Sequence, residues 1–372
     1  MTPAASAVLL VFAGMLGGIV GSFLNACIYR MPRGISLLNP RRSFCPSCNK
    51  MILWYENLPV VSWLLLRGKC SGCGCRISAR YPLVELLTAG LFVGAWMIYG
   101  YPAGAVYWVL LALLVAASFI DIEFFIIPDE ITWGGTAVGV ALATLFPSIL
   151  GEATFWAGAL ASLAGAALGF CLLWLVVEGG KLAFGRKSHS FDPAVPFVWT
   201  RDGDRADLRV GEETLRWEDI FSREKDVLLL RGGQVEIDGK KSISAESLRF
   251  FYDRVIVGNS PEPLALDHVD QIKGLASSIV IPREAMGFGD VKFIAAIGAF
   301  LGWKAVLFTI FAASIIGCLA AVAGIFIARD RAGSRVPFGP FLALGAVIWI
   351  FGGDRLAEWY LSVLSRTPPS PL

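Results

Sequence analysis

Uncharged apolar runs separated by short polar breaks make up most of this chain. The first extends from Ala5 to Tyr29. About 20 apolar residues in a helix cross a hydrocarbon layer of about 30 Å, so this run predicts a membrane-spanning helix. Leu86 to Ile120 is too long for one crossing, and the turn-like Tyr99-Gly100-Tyr101-Pro102 divides it in two. Ile131 to Leu150 and Ala153 to Val177 come next, then Gly287 to Trp303, Ala305 to Ala328 and Val336 to Gly352. The pattern predicts an all-α polytopic membrane protein with about eight transmembrane helices.

Between the fifth and sixth runs the pattern changes. Leu208 to Leu215 and Val235 to Ile243 alternate polar and apolar residues around Gly211 and Gly239, as hairpins do. Each precedes a short stretch with helical character, 216–223 and 244–254, a weak internal duplication. The segment 181–285 thus reads as a small soluble α+β insert, a structural or docking module without a catalytic motif.

Charge separates the two parts. The chain is 56 % apolar and 17 % charged, against about 25 % charged in soluble domains. Of its 62 charged residues (32 basic plus 30 acidic), 34 fall within 181–285. The net charge of +2 gives no reason to expect a nucleic-acid partner. Nine basic residues lie in 30–82, and Arg329, Arg331 and Arg335 follow the seventh run. The alternate loops hold only Lys304. With eight spans every basic loop falls on one side, the cytoplasm, and both termini lie on the other. The first run lacks a basic start and is followed by Arg30, so it reads as a retained helix rather than a signal peptide. The expected divisions are 1–29, a first transmembrane helix; 30–82, a cytosolic zinc-binding domain; 83–180, helices two to five; 181–285, the insert; and 286–372, helices six to eight with a tail.

Four of the eight cysteines form two knuckles, Cys45-Pro-Ser-Cys48 and Cys70-Ser-Gly-Cys73. Two such pairs suit one tetrahedral zinc held by four thiolates. A reducing cytoplasm disfavours disulfides. A loop of this size has little core of its own, and a closed four-thiolate site has no open position for catalysis, so the zinc is read as structural. Cys75 is close enough to substitute for one ligand. Cys27, Cys171 and Cys318 sit in apolar runs as small buried side chains.

Ionisable groups in spans are costly and point to function. Asp121 ends the third span and Asp290 begins the sixth, both at the cytoplasmic side, so they can meet. Two facing carboxylates share a proton. One can then take a proton from water while the other donates to a scissile carbonyl. Gly287 and Gly289 beside Asp290 permit a close backbone approach. Asp129, after Pro128, fits a helix N-terminus. Glu85 and Asn25 lie in or near spans and can bond across helices or support the site. Lys292, two positions from Asp290, points elsewhere on a regular helix and is expected to reach for the interface.

These residues resemble the type IV prepilin peptidases. Gly21-Ser-Phe-Leu-Asn25-Ala-Cys-Ile-Tyr29-Arg30-Met-Pro32 is similar to that family's first-span signature. The knuckles, Glu56-Asn57-Leu58-Pro59, Arg67-Gly68-Lys69-Cys70 and Ile77 to Glu85 resemble its cytosolic domain. Asp121 with Ile127-Pro128-Asp129 resembles its first aspartate motif, and Met286-Gly287-Phe288-Gly289-Asp290-Val291-Lys292 its second. The resemblance covers about 1–180 and 282–350. It implies an aspartic endopeptidase of the Gly-x-Gly-Asp membrane class, similar in that respect to presenilin, with Asp121 and Asp290 catalytic. It implies prepilins and type II secretion pseudopilins as substrates, a bacterial inner-membrane location and an active site near the cytoplasmic face. It also implies methylation of the new N-terminus with S-adenosylmethionine, for which no nucleotide motif is visible. The insert departs from the family pattern and is the segment left for contacts with pilus or secretion machinery. The alternative is a polytopic transporter or scaffold with a structural zinc loop, which leaves the two acidic motifs without a purpose.

Overall fold

The computed structural model describes residues 3–39, 42–184, 186–202, 205–221, 226–239, 241–258, 260, 263–282, 287–327 and 336–365. Arg329, Arg331 and Arg335, and Met286 of the second aspartate motif, lie outside them. The chain divides into two compact units, Met1–Trp174 with Gly287–Leu372, and Leu175–Met286.

In chain order the helices are α1 Pro3–Arg30, α2 Val61–Leu65, α3 Arg80–Tyr99, α4 Ala103–Phe124, α5 Asp129–Leu145, α6 Phe155–Phe184, α7 Trp217–Ile220, α8 Phe288–Ile327, α9 Gly339–Ile348 and α10 Asp354–Ser365. Among the described residues, six helical stretches are long and apolar enough to cross a membrane: Ser6–Arg33, Arg80–Tyr99, Ala103–Phe124, Phe155–Gly180, Phe288–Gly324 and Gly339–Tyr360. Val8, Phe12, Met15, Ile19 and Phe23 all stand exposed on α1. They recur every three or four residues, so one apolar stripe faces outward, as lipid requires. With the relatives described below, this makes the chain a multi-pass membrane protein.

Lipid offers helices no hydrophobic reason to associate, so they pack through small residues that let backbones touch. A Cβ on Gly17 would lie 2.7 Å from the Ala89 Cα, and one on Gly21 2.7 Å from the Glu85 Cα. That contact joins α1 to α3. Gly165 of α6 meets Gly298 of α8 in the same way, and the Ser162 hydroxyl donates to the Ala299 carbonyl at 2.7 Å.

The sixth and seventh runs form one helical stretch, α8, broken at Gly302, whose φ of 76° and ψ of 179° are not helical. Val306 packs against Gly298, its methyl 2.8 Å from where a Cβ there would lie. Eight residues along a straight helix would separate them by about 12 Å. The chain therefore doubles back at Gly302, where only glycine tolerates that backbone. The fourth run is shorter than expected: α5 stops at Leu145, and Pro147–Leu150 form a 3-10 turn. The eighth run is interrupted by the bulged turn Trp349–Gly353 before α10.

The second unit is an antiparallel sheet of nine strands: β1 Arg186–Asp202, β2 Arg205–Val210, β3 Glu213–Arg216, β4 Leu228–Ile237, β5 Lys241–Ser244, β6 Ser247–Phe250, β7 Arg254–Val257, β8 Leu264–Ala265 and β9 Gln271–Pro282. The order is β3-β2-β1-β9-β4-β6-β7-β8, with β5 on β4. Both expected hairpins form, β2–β3 around Gly211 and β4–β5 around Gly239, each glycine at positive φ. Period-two alternation buries Phe197, Trp199, Leu208, Leu228, Leu230, Leu248, Phe250 and Ile272 in one core. The expected helix at 244–254 is not there. Leu248 and Phe250 point into that core from β6, and a helix would turn one of them out. The helical content of this part of the insert reduces to α7 and a 3-10 turn at Leu266–His268.

Candidate active site

Asp121 occupies the last turn of α4. Phe125 closes that helix in the left-handed region, donating its N–H to the Asp121 carbonyl at 2.9 Å. The carboxylate is 5 % exposed and its Oδ2 accepts the N–H of Gly339 at 3.0 Å. A Cβ on Gly339 would come within 2.7 Å of that oxygen, so the first residue of α9 has to be glycine for the bond to form.

Asp290 lies in the first turn of α8, 7 % exposed, and its N–H reaches the Gly287 carbonyl at 3.2 Å. A Cβ on Gly287 would stand 3.5 Å from Asp290 Oδ2. Asp290 Oδ1 is buried and has no hydrogen-bond partner among the described residues. The two carboxylates are near enough for their charges to act on one another. Ile127, buried between α4 and α5, joins the parts: a Cβ on Gly289 would meet it at 3.4 Å and one on Gly339 at 3.0 Å. The ends of α4, α8 and α9 thus converge on a pair of carboxylates, with an acceptor atom left open. Such a pair can hold one proton, activate a water with one member and donate from the other.

Lys292 and Asp129 are brought together beside this pair, Nζ to Oδ1 at 2.6 Å. Asp129 does open α5, but it makes no side-chain cap, and Lys292 bonds to it rather than extending alone. Glu85 sits elsewhere. From α3 its Oε2 accepts the N–H of Val60 at 2.7 Å, and Val60 is held at a φ of 62°. Asn25 donates from Nδ2 to the Tyr81 carbonyl at 3.0 Å.

The two cysteine knuckles share one geometry. Cys45 and Cys70 donate N–H to the carbonyls of Lys50 and Cys75, at 3.0 and 2.9 Å. Asn49 and Gly74, both at positive φ, donate back to Cys45 and Cys70. Cys75 therefore matches Lys50 in the repeat and stands outside the pair of ligand positions. The sulfurs of Cys45, Cys48, Cys70 and Cys73 all lie within 4.8 Å of one another. The pairs Cys45–Cys73 and Cys48–Cys70 are 3.9 and 4.0 Å apart. A tetrahedral zinc with bonds of about 2.3 Å separates its sulfurs by about 3.8 Å, so the set fits that ion. Cys75 Sγ stands 3.5 Å from Cys45 Sγ. Burial raises the Cys45 thiol, but the N–H groups of Cys48 and Ser47 and its thiol neighbours outweigh this and bring it down to about 6. For Cys48 an N–H of Lys50 works downward, while burial and the neighbouring thiols prevail and push it up to about 12. The cluster can shed all its protons together only if a cation joins it.

Helices suited to crossing a membrane, buried carboxylates at helix ends and a four-cysteine lobe define a class: a polytopic membrane protein with a paired-aspartate centre. The model of the bacterial peptidase A24 N-terminal domain matches residues 15–99. That of the type IV leader peptidase family matches residues 108–187 and 269–322. A prepilin leader peptidase/N-methyltransferase of Aeromonas hydrophila is 28 % identical over 372 residues, covering 92 % of this chain and 91 % of its own length. One of Myxococcus xanthus is 44 % identical over 179 residues, covering 48 % and 51 %. One of Dichelobacter nodosus is 36 % identical over 208 residues, covering 48 % and 70 %. No solved structure matches the chain. The chain belongs to the type IV leader peptidase family.

Proposed function

We propose that this protein cuts the basic leader from type IV prepilins and type II secretion pseudopilins and then methylates the new N-terminus, working in a bacterial inner membrane. Family membership and the names of the relatives support the substrate class and both reactions. The observation that carries the cleavage chemistry is the pairing of buried Asp121 and Asp290 where α4, α8 and α9 converge. The ionised member takes a proton from a water as its oxygen attacks the scissile carbonyl. The protonated member donates to the carbonyl oxygen, and then the amine leaves with a proton. No bond to the enzyme forms. Gly287, Gly289 and Gly339 let the backbones come close enough to hold this arrangement, and the Lys292–Asp129 pair fixes the start of α8 against α5.

Cys45, Cys48, Cys70 and Cys73 would hold one structural zinc, which supplies the lobe 30–82 with the cross-link its small core lacks. Eight crossings follow if α5 spans and α8 crosses twice, and its reversal at Gly302 supports the latter. The basic loops then face the cytoplasm, as do the aspartates at their helix ends. A transporter or scaffold has no support from the relatives. The test is purified enzyme with Asp121→Asn or Asp290→Asn, incubated with a prepilin. Each is expected to lose cleavage while inserting normally and keeping its metal, because a shared-proton pair works as a unit. Asp129→Asn is expected to retain more activity. Cleavage by both of the first two would overturn the mechanism. A dead Asp129→Asn beside an active Asp121→Asn would move the first aspartate to position 129.

A further inference from the structure

A cavity of about 410 Å³ opens where α1 and α3 meet the cysteine lobe, away from the aspartate pair. Its size falls within the roughly 300–1,000 Å³ of small-molecule sites. Asn25, Glu85, Tyr29, Phe44, Tyr81 and Glu123 are among the residues that line it. Asn25 is 2 % exposed, and its Oδ1 has no hydrogen-bond partner among the described residues. A buried acceptor left open marks a place where a donor is missing. Glu85, 7 % exposed, puts a carboxylate on the same wall. Tyr29, Phe44 and Tyr81 add aromatic surface, with Tyr29 and Phe44 edge to face at 6.4 Å.

We infer that this cavity is the methyl-transfer site and takes S-adenosylmethionine, an inference that rests on the methylation reading above. The fit is chemical. The ligand carries a sulfonium, an ammonium and an adenine amino group, all of which suit acceptors, and a purine face, which suits aromatic side chains. The cavity offers acceptors and rings together. Its place also fits a second step. Glu123, which lines it and pairs with Arg80, is two residues from Asp121 on α4. An N-terminus released at the aspartate pair has a short way to go. In the transfer, the ammonium of the cleaved chain passes a proton to the Glu85 carboxylate. The amine lone pair then forms the new N–C bond, and the C–S bonding pair stays on sulfur as a neutral thioether. A methylated ammonium results.

The experiment uses full-length enzyme in nanodiscs with tritiated S-adenosylmethionine as the probe. Ultraviolet crosslinking of the wild type is expected to label peptides within 22–30, 43–58 or 76–85, and excess S-adenosylhomocysteine should compete. Ala26→Phe, which fills the cavity, and Glu85→Gln, which keeps an acceptor for the Val60 N–H, are then given pre-cleaved pilin and intact prepilin. Binding to Ala26→Phe should fall by about tenfold or more, the scale of forcing a ring into occupied space. Methyl incorporated per cleaved chain should fall in both, a ratio from which a general loss of folded enzyme cancels. If label maps elsewhere, or both variants methylate each cleaved chain as the wild type does, the cavity is not the site. If the wild type cleaves but neither binds the probe nor methylates, the methylation reading falls and the inference with it. Should both variants fail to fold, the wild-type crosslink map still decides.

Discussion

At the scale of single residues, the aspartate centre depends on atoms that are not there. Gly339 donates its N–H to Asp121 and has no Cβ to push that oxygen away. Gly339→Ala is expected to insert and bind metal normally yet cleave about 10²-fold more slowly, the scale of a displacement of about 1 Å at a reacting group. A prepilin cleavage assay beside a metal assay would separate this from misfolding. The Lys292–Asp129 pair makes a different prediction. If its work is done as a pair, Lys292→Met and Asp129→Asn should each slow cleavage, and the double variant should be hardly worse than either, with a coupling of about 0.5–3 kcal/mol in the double-mutant cycle. Asp121 and Asp290 were legible because charge inside an apolar run is expensive and rare. Gly339 was not singled out, although Pro337-Phe338-Gly339-Pro340 ahead of an apolar run is a turn signal. The ion pair joins residues 163 apart in sequence, a separation at which spacing says nothing.

At the scale of elements, hydrophobic runs predicted where helices lie better than where they end. The split at Tyr99–Pro102 and both hairpins of the insert were visible because glycine and proline punctuate locally. The stretch 244–254 misled because its apolar residues suit either period, and the neighbouring strands decided the outcome. Likewise the reversal at Gly302 is settled by packing of Val306 on Gly298, which a linear pattern does not record. The cysteine knuckles are the element most fully specified by spacing. For them we expect about one zinc per chain, from the four-ligand stoichiometry. Elemental analysis should find it lost in Cys45→Ser combined with Cys70→Ser, and a chelator should lower the melting temperature of the intact protein. Metal retained at full level in that double variant would point to Cys75, whose sulfur is already in contact with the cluster.

For the whole molecule, the family models match 108–187 and resume at 269, passing over most of the sheet unit. That unit has a core of its own, built on Trp199, Trp217, Phe250 and their neighbours. Replacing the stretch between β1 and β9 with a short Gly-Ser linker is therefore expected to leave prepilin cleavage within about threefold of the original, provided the linker spans the sheet edge. The isolated 186–282 segment should melt cooperatively, as circular dichroism would report. Deletion that abolishes cleavage with normal insertion would assign the sheet a part in presenting substrate.

The pairing of β1 with β9 begins at Arg186 and Pro282, where the segment enters and leaves the sheet. A guest whose two ends are already neighbours adds almost no closure entropy to its host, since that cost grows only with the logarithm of loop length. The junction therefore behaves as a docking port in the gene. Any compact module with adjacent termini, a fluorescent reporter among them, should graft there without disturbing the bundle. The same economy lets lineages trade this segment freely, varying what the enzyme meets on the outside while its aspartates stay as they are.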